Sequence, residues 1–148
     1  MDKIVFRKMT ENDIEAVSQI DEKSFPKPWP KQIYYEEMNL NQYAKYFVTT
    51  VNEEVVGFCG TWMVLDEAQV TNIAIHPAYR GRGLGEGLFQ YVINYAVAHD
   101  VKHLSLEVRM SNLVAQRMYK KFGLQPGGVR KNYYTDNQED ALVLWVNL

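Results

Sequence analysis

A chain of 148 residues with 47% apolar, 23% charged and 13% aromatic side chains has the profile of one globular domain, read here as a single unit over residues 1–148. Lys and Arg number 16 against 18 Asp and Glu, a net charge of −2, so bulk basicity gives no grip on a phosphate backbone and direct nucleic-acid binding is not expected. The lone cysteine excludes an intramolecular disulfide, no apolar run reaches the roughly 18 residues of a membrane span, and the charged N-terminus lacks a secretory hydrophobic stretch, so the expected location is the cytoplasm.

Residues 3 to 8 alternate polar and apolar and predict a short strand. Thr10 then precedes Glu11 and Asp13, with Ile14, Val17 and Ile20 following at helical spacing: an N-cap, an acidic first turn and an amphipathic helix that must end by Phe25. Pro26-Lys27-Pro28-Trp29-Pro30 denies helix locally, and Pro30 suits the first position of a second helix near Lys31 to Leu40. Tyr46 to Val51 and Glu54 to Val64 are β-branched and aromatic on either side of Asn52-Glu53, which predicts a hairpin, and Cys59 within it is apolar filler.

Glu67 to Ile75 supplies the next strand, stopped by His76-Pro77. A glycine-rich loop opens a helix near Gly83, in which Leu84, Leu88, Tyr91, Val92 and Tyr95 recur at intervals of three and four. A strand from Lys102 to Val108, a helix from Asn112 to Phe122 closed by Gly123, and strands near Val129 to Tyr134 and Ala141 to Val146 complete the chain. The expected fold is α/β (α+β), with a mixed, mostly antiparallel central sheet flanked by helices.

The most informative segment is Arg80-Gly81-Arg82-Gly83-Leu84-Gly85-Glu86-Gly87, set between a strand end and a helix start. Glycines let backbone N–H groups approach a ligand, and those at a helix N-terminus are unpaired and lie at the positive end of the dipole, which makes a phosphate cradle. Arg80 and Arg82 add charge within reach of the same phosphates. The bland alternative is a tight turn with close helix-on-strand packing. No Gly-Lys-Ser/Thr follows, so the loop is not a Walker loop, and Gly81, Gly83, Gly85 and Gly87 do not have dinucleotide-fingerprint spacing.

Arg80-Gly81-Arg82-Gly83-Leu84-Gly85, with Asn72-Ile73-Ala74-Ile75-His76-Pro77 before it, resembles the acyl-coenzyme A loop of the GCN5-related N-acetyltransferase (GNAT) family. Leu106-Glu107-Val108-Arg109, Ser111-Asn112, Met118 to Leu124 and Arg130 to Tyr134 are similar to the bacterial ribosomal-protein-alanine branch of that family, as is Phe25 to Trp29. The likeness runs from about residue 4 to 147. Leu124 stands where Phe is usual, Pro30 where Ser is common, and Lys27-Pro28 lengthens the Phe-Pro-Trp piece, departures that touch packing and the acceptor-side loop.

The resemblance implies acetyl-CoA as cosubstrate, no metal, and the N-terminal segment of a ribosomal protein as acceptor. It gives Glu107 the role of general base and Tyr119 that of general acid. It assigns coenzyme binding to Ile73, Ala74 and Ile75 through their backbone, to Arg80, Gly81, Arg82, Gly83, Leu84 and Gly85, and to Asn112. It places Trp29, Tyr34 and Tyr35 with Arg130, Tyr133 and Tyr134 on the acceptor side; these aromatics also read as packing under loops.

On periodicity alone, Glu107 leaves the face shared by Leu104, Leu106 and Val108, and Tyr119 lies two helical turns from Asn112 on one face. Without the resemblance these are a solvated carboxylate, a core aromatic and an N-cap. His76, His99 and His103 lack metal-ligand spacing. The alternatives left open are acetyl transfer to a lysine or small amine, and a coenzyme A-binding regulatory module without turnover.

Overall fold

The computed structural model describes residues 1–148. In chain order it contains β1 (Ile4–Lys8), α1 (Ile14–Ser24), α2 (Lys31–Asn39), β2 (Ala44–Val51), β3 (Glu54–Val64), β4 (Glu67–Ile75), α3 (Leu84–Ala98), β5 (His103–Arg109), α4 (Leu113–Lys121), β6 (Gln125–Arg130) and β7 (Ala141–Asn147). All seven strands join one sheet in the order β1-β2-β3-β4-β5-β7-β6. Every pair is antiparallel except β4 with β5, so the expected mixed, mostly antiparallel sheet is what forms.

Strand alternation sorts side chains onto two helix-covered faces. Phe47 and Cys59 face Leu88, Phe89, Val92 and Ala96 of α3, together with Leu104, Leu106 and Tyr119. Their neighbours Val48 and Phe58 face Ile14, Val17 and Ile20 of α1 and Tyr34 of α2. Cys59 is fully buried and burial raises its thiol pKa, in keeping with an apolar filler. Gly87 belongs to this packing: a methyl group there would stand 2.6 Å from Phe6 Cζ, so this glycine brings α3 onto β1.

Three local expectations change. The turn Glu11–Asp13 is 3-10, and Asp13 is a buried link to the sheet, accepting from both Arg7 guanidinium nitrogens at 2.8 and 2.9 Å. Pro30 stands at the N-cap of α2, with ψ 144, rather than at its first helical position. The expected strand at Val129 to Tyr134 lies earlier, at Gln125–Arg130, which puts Tyr133 and Tyr134 in the β6–β7 loop. Pro126-Gly127-Gly128 has turn composition, yet β6 is an edge strand, where a missing N–H is tolerated and a register shift at Gly128 absorbs the irregularity.

One departure from regularity shapes the function. β4 and β5 pair only from Glu67↔His103 to Val70↔Leu106, although β4 continues to Ile75 and β5 to Arg109. The ladder between β3 and β4 is irregular at Gly60/Thr61, just where β4 begins to part from β5. The sheet therefore opens toward the C-terminal ends of its two parallel strands.

Candidate active site

The opening is a cleft of about 420 Å³ whose walls include Val70 to Ile73 of β4, Leu106 to Arg109 of β5, Asn112 at the N-cap of α4 and Tyr119 within it, Asp21 and Ser24 of α1, Phe25 to Lys27 and Trp29 beyond it, and Tyr133 to Asp136. Backbone direction follows from the ladder: the His76 N–H donates to Val56 O at 2.7 Å, so by antiparallel alternation Ala74 bonds to β3 while Ile73 and Ile75 turn their polar groups to the opened edge. Of the three backbone positions expected to serve a ligand, Ile73 lines the cleft, Ile75 has its carbonyl engaged by Arg80 and only its N–H turned outward, and Ala74 is committed to the sheet.

The glycine loop follows directly. Gly81 and Gly83 have φ of 80° and 78°, with nothing within 4 Å of an added Cβ, so each is glycine for its conformation and for the open space beside it. The N–H groups of Gly81, Arg82, Gly83, Leu84, Gly85 and Glu86 donate to no protein acceptor, and the next one, at Gly87, bonds to Gly83 O. Six free amides at a helix N-terminus suit a pyrophosphate. Leu84 contributes only its backbone, since its side chain packs with Val51 and Val56. A Cβ on Gly85 would lie 3.6 Å from Ile75 Cγ1 and 3.9 Å from Met118 Sδ, which brings α4 beside the loop.

The two loop arginines differ from the expectation that both reach phosphates. Arg80 turns back: its Nε donates to Ile75 O at 2.9 Å and its Nη2 to Ser24 Oγ at 3.1 Å, tying the loop to β4 and α1. Arg82 stays half exposed, 5.0 Å from the Tyr79 ring centroid and 3.8 Å from Asp2, and is free to swing toward an anion.

Glu107 lies where β5 has lost β4, with its side chain 13% exposed. Its Oε1 takes Arg130 Nε at 2.9 Å, and its Oε2 accepts from the Tyr133 hydroxyl at 3.2 Å and, more distantly, from Gln69 Nε2 at 3.5 Å. Burial raises the pKa of Tyr133, reinforced by the neighbouring Glu107 carboxylate, so the phenol remains a donor.

Tyr119 is 5% exposed, its ring edge-on to Phe89 at 5.2 Å, and burial raises its pKa. Among side-chain polar atoms sealed from solvent only Thr49 Oγ1 lacks a partner. The Tyr119 hydroxyl, which has no protein partner, therefore opens to the cleft it lines. Asn112 caps α4 by accepting the Ala115 N–H at 3.2 Å and keeps its amide nitrogen free.

On the acceptor side, Trp29 lines the cleft, but Tyr34 does not belong to an exposed clamp. It is fully buried on α2, donates to Asp21 Oδ2 at 2.5 Å and accepts from Asn72 Nδ2 at 3.1 Å. Tyr35, at the adjacent position of α2, is 36% exposed. Arg130, Tyr133 and Tyr134 do converge: Tyr134 stacks edge-on with Tyr133 and lies under the Arg109 guanidinium at 4.0 Å, and burial pushes its phenol up to about 12. Arg109 holds the whole β6–β7 loop, binding Asp136 at 2.9 Å and Glu139 at 3.4 Å.

Residue-by-residue reading of the sequence missed Asp21, Asn72 and Arg109. For Asp21 a signal existed: it continues the buried stripe Ile14, Val17, Ile20 at i+7 and i+4, an acid on an apolar face.

A sheet split between two parallel strands, with an amide cradle at the head of α3 and a carboxylate in the gap, is the architecture of an acyl-transfer enzyme. The sequence profile described as the acetyltransferase (GNAT) family matches residues 14–124, and the chain belongs to that family of N-acetyltransferases. It is similar, at 35% identity over 89% of both chains, to the Escherichia coli (strain K12) ribosomal protein bS18-alanine N-acetyltransferase. A Bacillus subtilis (strain 168) protein that carries the same description provisionally is 51% identical, over 99% of this chain and 97% of its own length. Among solved structures, the Escherichia coli ribosomal-protein-S18-alanine N-acetyltransferase superposes with a TM-score of 0.89 at 32% identity, covering 99% of this chain and 94% of that one.

Proposed function

We propose that residues 1–148 act as one domain that transfers acetyl from acetyl-CoA to the N-terminal alanine of a ribosomal protein of the bS18 type, in the cytoplasm. The observation that carries this reading is the combination of the Glu107 carboxylate in the cleft between β4 and β5 with six free amides, those of residues 81–86, leading into α3, the helix that follows β4. The names of the full-length relatives support the acceptor.

Acetyl-CoA supplies an acyl thioester. The amides of residues 81–86 hold its pyrophosphate, with Arg82 near enough to add charge, while Asn112 Nδ2 and the backbone edge of Ile73 and Ile75 receive the chain leading to the thioester. Glu107 takes a proton from the acceptor ammonium, breaking N–H and forming O–H at the carboxylate. The amine then attacks the thioester carbonyl; as the C–S bond breaks, Tyr119 gives its hydroxyl proton to the departing sulfur, and the second proton shed by the acylated nitrogen restores the phenol. Arg130 and Tyr133 hold Glu107 in place until the acceptor arrives. An α-amino group, of reference pKa about 7.7–8.0 against about 10.4 for lysine, is easier to deprotonate by roughly 3–4 kcal/mol, which suits a single carboxylate base.

The test is a steady-state assay with acetyl-CoA and three peptides: one led by free alanine, one with that terminus blocked, and one with a lysine as its sole amine. Acetylation of the free terminus alone, located by mass spectrometry, is the expected result. Transfer only to lysine identifies a different acceptor, and coenzyme binding without any transfer identifies a regulatory module.

A further inference from the structure

The acids of the cleft are not equally satisfied. Glu107 has Arg130, and Asp136 has Arg109. Asp21 is 2% exposed and has no cation within salt-bridge distance. Its Oδ2 accepts the Trp29 N–H at 3.1 Å and the Tyr34 hydroxyl at 2.5 Å. Its Oδ1 accepts nothing from the protein and, not being among the sealed unpartnered atoms, opens to the cleft that Asp21 lines.

Cations are near but engaged elsewhere: Lys27 donates to Thr135 at 2.9 Å, Arg109 serves Asp136 and Glu139, and Arg130 serves Glu107. The placement is unfavourable on two further counts. Asp21 sits in the last turn of α1, at the negative end of the helix dipole, and next to Glu22. Burial raises its pKa, as expected for a carboxylate short of compensation. A buried glutamate outside the cleft shows the contrast: Glu37 fills both oxygens, with Tyr46, Trp62 and Asn41.

A buried carboxylate with one oxygen open and no counter-ion is costly unless a ligand supplies the positive charge. Building on the acceptor reading above, we propose that Asp21 Oδ1 is the docking point for the protonated amino group of the acceptor. Asp21 holds one N–H of the ammonium while another is presented to Glu107. Tyr34, its hydroxyl held in turn by Asn72, fixes the carboxylate from behind, and the Trp29 N–H couples it to the loop after α1. The site thus selects a cationic amine before any proton moves.

The test measures binding without turnover. Wild type and Asp21→Asn, both saturated with coenzyme A, are titrated calorimetrically at pH 6.5 with an alanine-led peptide and with its lactoyl counterpart, in which a hydroxyl replaces the amine. Wild type is expected to favour the amine by about tenfold or more, the size a charge-assisted hydrogen bond carries. In Asp21→Asn that preference collapses, while the lactoyl peptide binds within about twofold of wild type. Equal weakening of both peptides makes Asp21 a wall-shaping residue only, and unchanged binding of both removes it from the site; either result overturns the proposal. If wild type acetylates lysine peptides and not the alanine-led one, the acceptor reading fails separately. The same four titrations with a lysine peptide and its norleucine counterpart then decide the role of Asp21.

Discussion

Lys27 Nζ donates to Thr135 Oγ1 at 2.9 Å, joining the segment between α1 and α2 to the β6–β7 loop across 108 positions of sequence. Both residues line the cleft, so this single bond spans its acceptor side. It is solvent-exposed, and a surface bond of this kind contributes less than about 0.5 kcal/mol to folding. Lys27→Met is therefore expected to leave Tm unchanged while raising KM for the acceptor peptide by up to about fivefold, with KM for acetyl-CoA unaffected. Steady-state kinetics with each substrate varied in turn checks this.

Glu107→Gln keeps the shape of the side chain and its hydrogen bond to Tyr133 while removing the base. General-base assistance contributes roughly 10²–10⁴-fold, so kcat should fall by that order with coenzyme affinity retained. A rate within a factor of two or three of wild type would assign the base elsewhere.

Tyr119→Phe removes a hydroxyl that no protein group uses. Stability should hold within about 0.5 kcal/mol by urea denaturation, since the ring keeps its packing on Phe89. Turnover should drop by about tenfold or more. A parallel loss of Tm would mark Tyr119 as structural.

Gly83→Ala and Gly87→Ala separate ligand cradle from packing. At Gly83 the added methyl meets no protein atom, but φ of 78° costs an L-residue about 1–2 kcal/mol and the methyl fills the space before the free amides. Coenzyme A affinity should fall sharply. At Gly87 the methyl strikes Phe6, an overpacking cost of about 1–3 kcal/mol, and coenzyme affinity should persist in the folded fraction. Calorimetric titration beside thermal melts distinguishes the two.

Asp21→Asn should raise stability at neutral pH even as it impairs acceptor binding. The pKa of Asp21 is raised in the folded state, so ionising it costs more folded than unfolded. The wild type accordingly loses stability as pH rises from the unfolded carboxylate value of about 3.9 through the higher folded value, and the Asn variant does not. Urea melts of both proteins from pH 3.5 to 7.5 should coincide at the acid end and diverge above it. A less stable variant at pH 7 would show that the carboxylate is compensated.

Much of the architecture is written locally. The hairpin about Asn52-Glu53, the strand stop at His76-Pro77, the glycine entry to α3 and the Asn112 cap on α4 each depend on residues within a few positions, because turn chemistry and capping act over that range. The free amides of residues 81–86 follow from the same local rule, as does the departure of Glu107 from the leucine face of β5.

What local rules did not reach depends on which strands become neighbours. That β4 parts from β5 after Val70, that Ala74 turns to β3 while Ile73 and Ile75 do not, and that Arg80 folds back on Ile75 are consequences of sheet order and register. Pairings such as Glu107 with Arg130, Asp21 with Tyr34 and Tyr34 with Asn72 join segments 13 to 38 residues apart, and burial and hydrogen bonding take their values only once those segments meet. Residue types and periodicity therefore supplied the elements and the phosphate cradle, and the family resemblance supplied Glu107. Long-range packing chose which acid is paired, which is left open to a ligand, and where the sheet divides to admit one.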